Sequence, residues 1–286
     1  MPRVVYVSGR YLPYAEAGVH VEDRGFQFAD SVYEVCEIRK GHLVDEARHL
    51  ARLERNLGEL RIAPPMSPAA LSHVLRETVR RNRVENGLVY LQVTRGTAPR
   101  DFPFPADCRP TVVCIARALA PQKMAARAEA GIAVITLPDT RWARCDIKTV
   151  MLLPAVLAKE EARAKGAGEA WFVDRNGLIT EGASSNAWIV SGDGRLVTRS
   201  LGHELLPGVT RATLAGALAP LGLSLDERAF SREEALAARE AFVTSASATV
   251  MPVVMIDGNV IGDGAPGSVT LLLRSKFHQF AALSAG

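Results

Sequence analysis

Cysteine is scarce in this chain. Four occur in 286 residues, Cys36, Cys108, Cys114 and Cys145, with no CxxC pair and no cysteine–histidine cluster at zinc spacing. That pattern excludes a disulfide framework and a zinc motif, so no metal is expected, and free thiols in a cytoplasmic protein are. Aromatic residues make up only 6% of the chain, too few for platforms on which bases stack. An excess of one charge is also missing, since the net charge is +3. The arginines of the first half, from Arg48 and Arg52 through Arg83, interleave with glutamates at helical spacing and read as solvated helix faces, not a nucleic-acid surface. No uninterrupted apolar run is long enough to span a bilayer, and the N-terminus reads as a polar strand, not a signal peptide. Neither nucleic acid nor membrane is therefore an expected partner.

What is present fits a mixed α/β protein long enough for two domains. Val4–Val7 and Tyr11–Pro13 flank Ser8-Gly9-Arg10 as a hairpin, and Tyr33–Ile38 alternates as a strand. Asp45 is placed to cap a helix running to about Leu60, with Leu50, Leu53, Leu57 and Leu60 as its apolar stripe and Arg52 well off it. Ser67-Pro68 opens a second helix. A strand over Val89–Arg95 is followed by the proline-rich segment Pro99–Pro105, which can be neither helix nor central strand and is expected as an exposed loop. We expect an N-terminal α/β domain over 1–120, a linker over 121–130, and a C-terminal α/β domain over 131–286 that carries Lys148. In that second part Asn176-Gly177 marks a hairpin, Gly208-Val209-Thr210 opens a helix, and a last helix covers about Val269–Leu283. Gly262-Asp263-Gly264-Ala265-Pro266-Gly267 matches GxGxxG, but the chain ends before the second strand and acidic residue of a dinucleotide site, so the glycines read as a turn.

The chemistry centres on Arg141-Trp142-Ala143-Arg144-Cys145-Asp146-Ile147-Lys148-Thr149. Lys148 enters a run of uncharged, mostly apolar residues that extends to Pro154. A lysine in such company is either snorkelling to water or held partly desolvated, and desolvation favours the neutral amine that attacks a carbonyl. Cys145 beside it reads as a small buried residue. Glu181 sits at a strand end before Gly182-Ala183-Ser184-Ser185-Asn186, small residues that let a planar ligand approach. Gly208-Val209-Thr210 offers backbone N–H groups and a hydroxyl at a helix start, and Thr244-Ser245-Ala246-Ser247 offers more after a strand.

Together and in this order these stretches, with Glu22–Asp30, Val32-Tyr33-Glu34-Val35, Val93-Thr94-Arg95-Gly96, Gly208-Val209-Thr210-Arg211 and Phe242-Val243-Thr244-Ser245, resemble the fold-type IV pyridoxal-phosphate aminotransferases over nearly the whole chain. Within that family the similarity is greatest to the enzymes acting on D-amino acids. The resemblance implies a two-domain α/β fold, a homodimer, and transamination between D-amino acids and 2-oxo acids. It implies Lys148 as the Schiff-base lysine and Glu181 as partner of the pyridine nitrogen. Arg52, Val209, Thr210 and the Ser245, Ala246, Ser247 loop would hold the phosphate, and Leu206 would pack on the ring. Tyr33 and Arg100 would hold the substrate carboxylate, Arg100 reaching in from the partner subunit.

One position departs from the family pattern. Two residues after the loop arginine these enzymes carry a histidine, whereas Phe102 stands here. The carboxylate trap is thus differently built, with Arg24 a candidate replacement donor and (R)-primary amines an expected side activity. Branched-chain aminotransferase and aminodeoxychorismate lyase share the fold and the lysine and stay as alternatives. A cofactor-free binding protein is the reading from another class, against which Lys148, Glu181 and Thr210 argue.

Overall fold

The computed structural model describes residues 3–284. By contact the chain divides into two units: the chain through Pro121 with Ile147–Met151 and the residues from Ala282, and Gln122–Asp146 with Leu152–Ala281.

The first unit is built on strands β1 (Val4–Val7), β2 (Arg10–Pro13), β3 (Ser31–Arg39), β4 (His42–Leu43), β5 (Asn86–Thr94) and β6 (Thr111–Ala118). They form one antiparallel sheet in the order β2-β1-β6-β5-β3-β4. Helix α1 (Arg24–Phe28) precedes β3, and α2 (Glu46–Glu59) and α3 (Pro68–Asn82) pack on the sheet and on each other. In β3 the period of two sends Val32, Glu34, Cys36 and Ile38 to the buried face and leaves Tyr33, Val35 and Glu37 half-buried on the other. A carboxylate on the helix-covered face needs partners, and α2 supplies them.

That need widens the buried face of α2 beyond the expected leucine stripe, of which Leu53 and Leu57 are buried and Leu50 and Leu60 half-buried. Its buried residues are Glu46, His49, Leu53, Asn56 and Leu57, because Glu46 is paired with Arg76 at 2.8 Å and His49 with Glu34 at 2.7 Å. Arg52, a solvated residue by periodicity, is half-buried with its side chain turned in beside Glu34 instead. The expected cap at Asp45 is also different: the residue is left-handed at φ 53 and its side chain makes no cap bond. Its carboxylate accepts from the N–H of Ala282 at 3.0 Å, drawing the C-terminal residues into this unit.

The second unit carries α4 (Pro121–Ala130), β7 (Ile132–Pro138), α5 (Leu153–Ala164), β8 (Glu169–Val173), β9 (Ile179–Gly182), β10 (Asn186–Val190), β11 (Leu196–Thr198), α6 (Val209–Leu218), β12 (Leu225–Glu227), α7 (Arg232–Leu236), β13 (Glu240–Ser245), β14 (Thr249–Ile256), β15 (Asn259–Val260) and α8 (Ser268–Phe280). Its mixed sheet runs β12-β11-β10-β13-β14-β7-β8-β9, with β15 on β14. Trp171, Trp188, Phe230 and Phe242 are fully buried in this unit. Two expectations need correction. Residues 121–130, expected as a linker without regular structure, form helix α4 at the boundary of the two units, with Ala128 buried. Lys148, expected on the C-terminal domain, clusters with the first unit because its backbone adds to the edge of β3. The 262–267 glycines lie in a turn, with φ +57° at Gly262 and +83° at Gly264.

Candidate active site

Lys148 is fixed by main chain. The Tyr33 N–H donates to the Lys148 carbonyl at 2.9 Å, the Val150 N–H to the Ser31 carbonyl at 3.4 Å, and Thr149 forms an antiparallel bridge with Val32. The lysine is half-buried, with its Nζ 4.3 Å from the centre of the Tyr33 ring. That distance is within cation–π range, so the amine sits over an aromatic face and has no carboxylate partner among the described residues. The Tyr33 ring is braced by Tyr90 at 5.6 Å, whose hydroxyl donates to Gln92 Oε1 at 2.7 Å, and Gln92 in turn donates to Ser31 Oγ at 3.0 Å. Burial, and then the Tyr33 hydroxyl nearby, push the Tyr90 hydroxyl up to about 12, so it remains a neutral donor. Tyr33 and Lys148, both named by the sequence, are thus brought together.

On the opposite face of the same strand lies a network that sequence reasoning missed. Glu34 accepts from Arg52 Nε and Nη2, both at 2.7 Å, and shares a 2.7 Å hydrogen bond with His49 Nδ1. Burial alone would raise the Glu34 carboxyl. The Arg52 guanidinium beside it, with hydrogen bonds from Arg52 and His49, outweighs burial and holds it at about 2. Two of the arginine's nitrogens are therefore oriented by a buried anion, which gives this candidate phosphate ligand a rigid base. The parity of Glu34 with Val32, Cys36 and Ile38 is the signal that would have found it.

Arg100 and Phe102 sit in a separate cluster around Phe28. Arg100 is exposed and lies over the Phe28 ring at 5.1 Å, while Phe102 is 78% exposed with its ring 5.6 Å from Phe28. Arg24, the candidate replacement donor, is buried and engaged within its own unit. Its Nε donates to Asp30 at 2.9 Å, Nη1 to the Asp101 carbonyl at 2.6 Å and Nη2 to the Phe102 carbonyl at 3.3 Å, so the guanidinium is spent on its own unit.

In the second unit Glu181 is buried at the end of β9. Its Oε1 accepts from Arg141 in a short contact, and its Oε2 accepts from Asn186 Nδ2 and from the Leu206 N–H, each at 3.1 Å. Arg141 also pairs with Asp139 at 2.8 Å and donates to Thr180 Oγ1 at 3.2 Å. Burial disfavours the Arg141 charge, but Asp139 and Glu181 outweigh burial and keep it protonated. Glu181 therefore faces a permanent cation, which favours its carboxylate form. Arg141 and Asn186 were missed as site residues, although both lie in stretches singled out above. Burial pushes the Cys145 thiol up to about 12, consistent with an inert side chain.

Asn186 ties this carboxylate to the start of α6. Its Nδ2 also donates to the Leu206 carbonyl at 2.9 Å, and a Cβ on Gly208 would lie 2.0 Å from its Oδ1. Glycine is required there by close approach alone, since φ is −63°. No side chain caps α6, which leaves its first turn, with Val209 and buried Thr210, as a donor set for an anion. The pairing of Asn186 with Thr244 sets the Ser245–Ser247 turn beyond the same sheet position. That turn is closed by the Ala248 N–H donating to Ser245 Oγ at 3.2 Å and anchored by Arg274 Nη1 donating to the carbonyls of Ala248 and Val250 at 2.8 and 2.6 Å. An anionic carboxylate, an uncapped helix start and a hydroxyl-rich turn fit the ring nitrogen and phosphate of pyridoxal 5'-phosphate. Among the described residues no His/Cys/Asp/Glu group is arranged for a metal, and no helix is long and apolar enough to cross a membrane.

Comparison with known proteins adds the family. The amino-transferase class IV family matches residues 31–256. The chain is 40% identical over 266 residues to the D-alanine aminotransferase of Bacillus licheniformis, covering 93% of each chain. It is 36% identical over 277 residues to that of Staphylococcus haemolyticus, covering 96% of this chain and 97% of the relative. Among solved structures it is similar to the branched-chain amino acid aminotransferase of Escherichia coli, with a TM-score of 0.90 at 26% identity over 98% of this chain and 94% of the other. It is similar also to a second enzyme of that name, from T.th., solved with pyridoxamine 5'-phosphate, with a TM-score of 0.89 at 26% identity over 98% and 94%.

Proposed function

Because the chain belongs to the class IV aminotransferases, we propose that it transfers the amino group between D-amino acids, D-alanine foremost, and 2-oxo acids such as pyruvate and 2-oxoglutarate, with pyridoxal 5'-phosphate as cofactor. The observation that carries this reading is full-length identity of 33–40% to D-alanine aminotransferases, against 21–26% to the branched-chain enzymes whose fold it shares.

Bound pyridoxal phosphate supplies an aldehyde that carries the amino group and a ring that takes up the electron pair released at the substrate Cα. Lys148 would hold that aldehyde through Nζ, and its amine would serve as the base that moves the Cα proton. Its main-chain anchorage on β3 and the Tyr33 ring below it keep its position through both half-reactions. Glu181, held by Arg141, Asn186 and the Leu206 N–H, would partner the ring nitrogen, and Leu206 would pack on the ring. Arg52, Val209, Thr210 and the Ser245–Ser247 turn would hold the phosphate. The Tyr33 hydroxyl and Arg100 hold the substrate carboxylate, and Phe102 replaces a third donor by hydrocarbon.

We place the enzyme in the cytoplasm as a homodimer in which each Arg100 serves its partner. Exposed Arg100 and Phe102, at 78%, both against the Phe28 ring, support this, since large apolar side chains left exposed beside an arginine mark a surface that another chain covers. The test is a panel of D- and L-amino donors with pyruvate or 2-oxoglutarate, followed by chiral chromatography. D-alanine or D-glutamate formation is expected, and exclusive use of L-leucine, L-isoleucine or L-valine would overturn the assignment.

A further inference from the structure

The proline-rich segment after β5 is held by an arrangement that the reaction itself does not use. Asp30 is largely buried and serves two arginines: Arg24 Nε donates to its Oδ2 at 2.9 Å, and Arg95 donates to Oδ2 from Nε at 2.7 Å and to Oδ1 from Nη2 at 3.0 Å. Each arginine then grips one end of the loop. Arg24 donates to the carbonyls of Asp101 and Phe102. Arg95 lies 3.6 Å from the centre of the Phe104 ring and donates to the carbonyls of Leu60 and Arg61 at 2.7 and 2.9 Å. Phe28 fills the space between, with Arg24 at 4.7 Å and Arg100 at 5.1 Å from its centre.

The segment has no ladder of its own to hold it. Four prolines between 99 and 110 remove backbone donors, and the Phe102 N–H is satisfied only by the neighbouring Asp101 side chain at 2.8 Å. The carbonyls of Asp101 and Phe102 belong to the peptide units on either side of the Phe102 α-carbon, two residues beyond Arg100. Two hydrogen bonds from one buried guanidinium therefore fix where Arg100 and Phe102 point. Lysine at position 24 keeps the charge for Asp30 but loses the planar fork that reaches both carbonyls.

We propose that Arg24 is a positioning residue for substrate specificity: charged and oriented by Asp30, it clamps the Arg100–Phe104 loop in the conformation that presents Arg100 to the substrate carboxylate. The kinetic part rests on the reading of Arg100 given above. The clamp itself does not.

The experiment compares wild type, Arg24→Lys and Arg100→Ala as holoenzymes. Hydrogen exchange is followed over 97–105, with KM and kcat for D-alanine, thermal midpoint and cofactor affinity. Losing two charge-assisted bonds in Arg24→Lys should speed exchange of the loop about tenfold or more and raise the KM for D-alanine by about tenfold, with kcat within about twofold and cofactor affinity unchanged. Arg100→Ala should raise the KM without loosening the loop. A merely structural role in balancing Asp30 is rescued by lysine, so unchanged exchange in Arg24→Lys overturns the clamp. A raised KM in Arg100→Ala with an unaltered KM in Arg24→Lys overturns the specificity role. An unaltered KM in Arg100→Ala overturns the reading of Arg100 and the specificity role with it, and the clamp is then decided by exchange alone.

Discussion

Glu34→Gln keeps side-chain shape on β3 while removing the charge that compensates Arg52. The two residues are buried at 2% exposure for Glu34 and 9% for the Arg52 side chain, so the arginine would be left as a buried cation facing a neutral amide. Breaking a buried pair from one side costs roughly 3–5 kcal/mol. A second route to the magnitude comes from titration. Lowering a carboxyl from an ordinary 4.5 to about 2 at about 1.4 kcal/mol per unit amounts to roughly 3 kcal/mol. At about 2–4 °C per kcal/mol for a chain of this size, the thermal midpoint should fall by about 6–20 °C. The pH dependence has a definite sign. Because the folded-state pKa is depressed, the contribution is complete above about 4.5 and is lost as pH falls toward 2. The stability gap between wild type and Glu34→Gln should therefore be widest near neutrality and close in acid. Adding Arg52→Met to Glu34→Gln removes the stranded cation and should recover a coupling energy of about 1–3 kcal/mol. Urea unfolding of the four proteins of this cycle from pH 7 to pH 3 measures all of this. A gap below about 1 kcal/mol at pH 7, or one that widens in acid, would refute the reasoning.

Gly208→Ala should weaken cofactor binding about tenfold or more while the fold survives, because the new Cβ would meet Asn186 Oδ1 at 2.0 Å and displace a buried hydrogen-bonded amide at roughly 1–3 kcal/mol. Titration of the apoprotein with pyridoxal phosphate checks it, and unchanged affinity would mean that Asn186 yields without cost. Glu181→Gln should leave the cofactor bound and slow the half-reaction with D-alanine by about 10²–10³, read by stopped-flow absorbance; an unaltered rate would remove Glu181 from the ring nitrogen. Phe102→His should restore a donor worth roughly 1.5–3 kcal/mol and shift kcat/KM toward D-alanine relative to (R)-1-phenylethylamine. No shift in that ratio would take position 102 out of the carboxylate site.

The strands and helices were legible because their periodicities are strong: the hairpins at Ser8-Gly9 and Asn176-Gly177, the β3 alternation and the α3 cap all lie where turn chemistry and patterning place them. Failures came where polar groups are buried in pairs. Arg52 reads as solvent-facing because periodicity counts apolar residues, and the buried face of α2 adds Glu46, His49 and Asn56 to Leu53 and Leu57, two of the three polar residues being matched to charged partners more than ten residues distant. Arg24 was misjudged for the same reason, its acceptors being carbonyls 77 and 78 residues away. Residues 121–130 looked like a linker because Pro121 opens them, yet proline is well tolerated in a first helical turn. Of the site, Lys148, Glu181 and Gly208-Val209-Thr210 stood out by local chemistry. Arg141 and Asn186, which orient Glu181, and Glu34, which orients Arg52, act through side-chain contacts that no local pattern encodes.

The central claim concerns one amine among six lysines in the chain. Borohydride reduction of the yellow holoenzyme, followed by digestion and mass mapping, should place the phosphopyridoxyl group on Lys148, and Lys148→Ala should be folded, unlabelled there and inactive with D-alanine. Label fixed at Lys40, Lys123, Lys159, Lys165 or Lys276, or near-wild-type turnover by Lys148→Ala, would contradict the assignment.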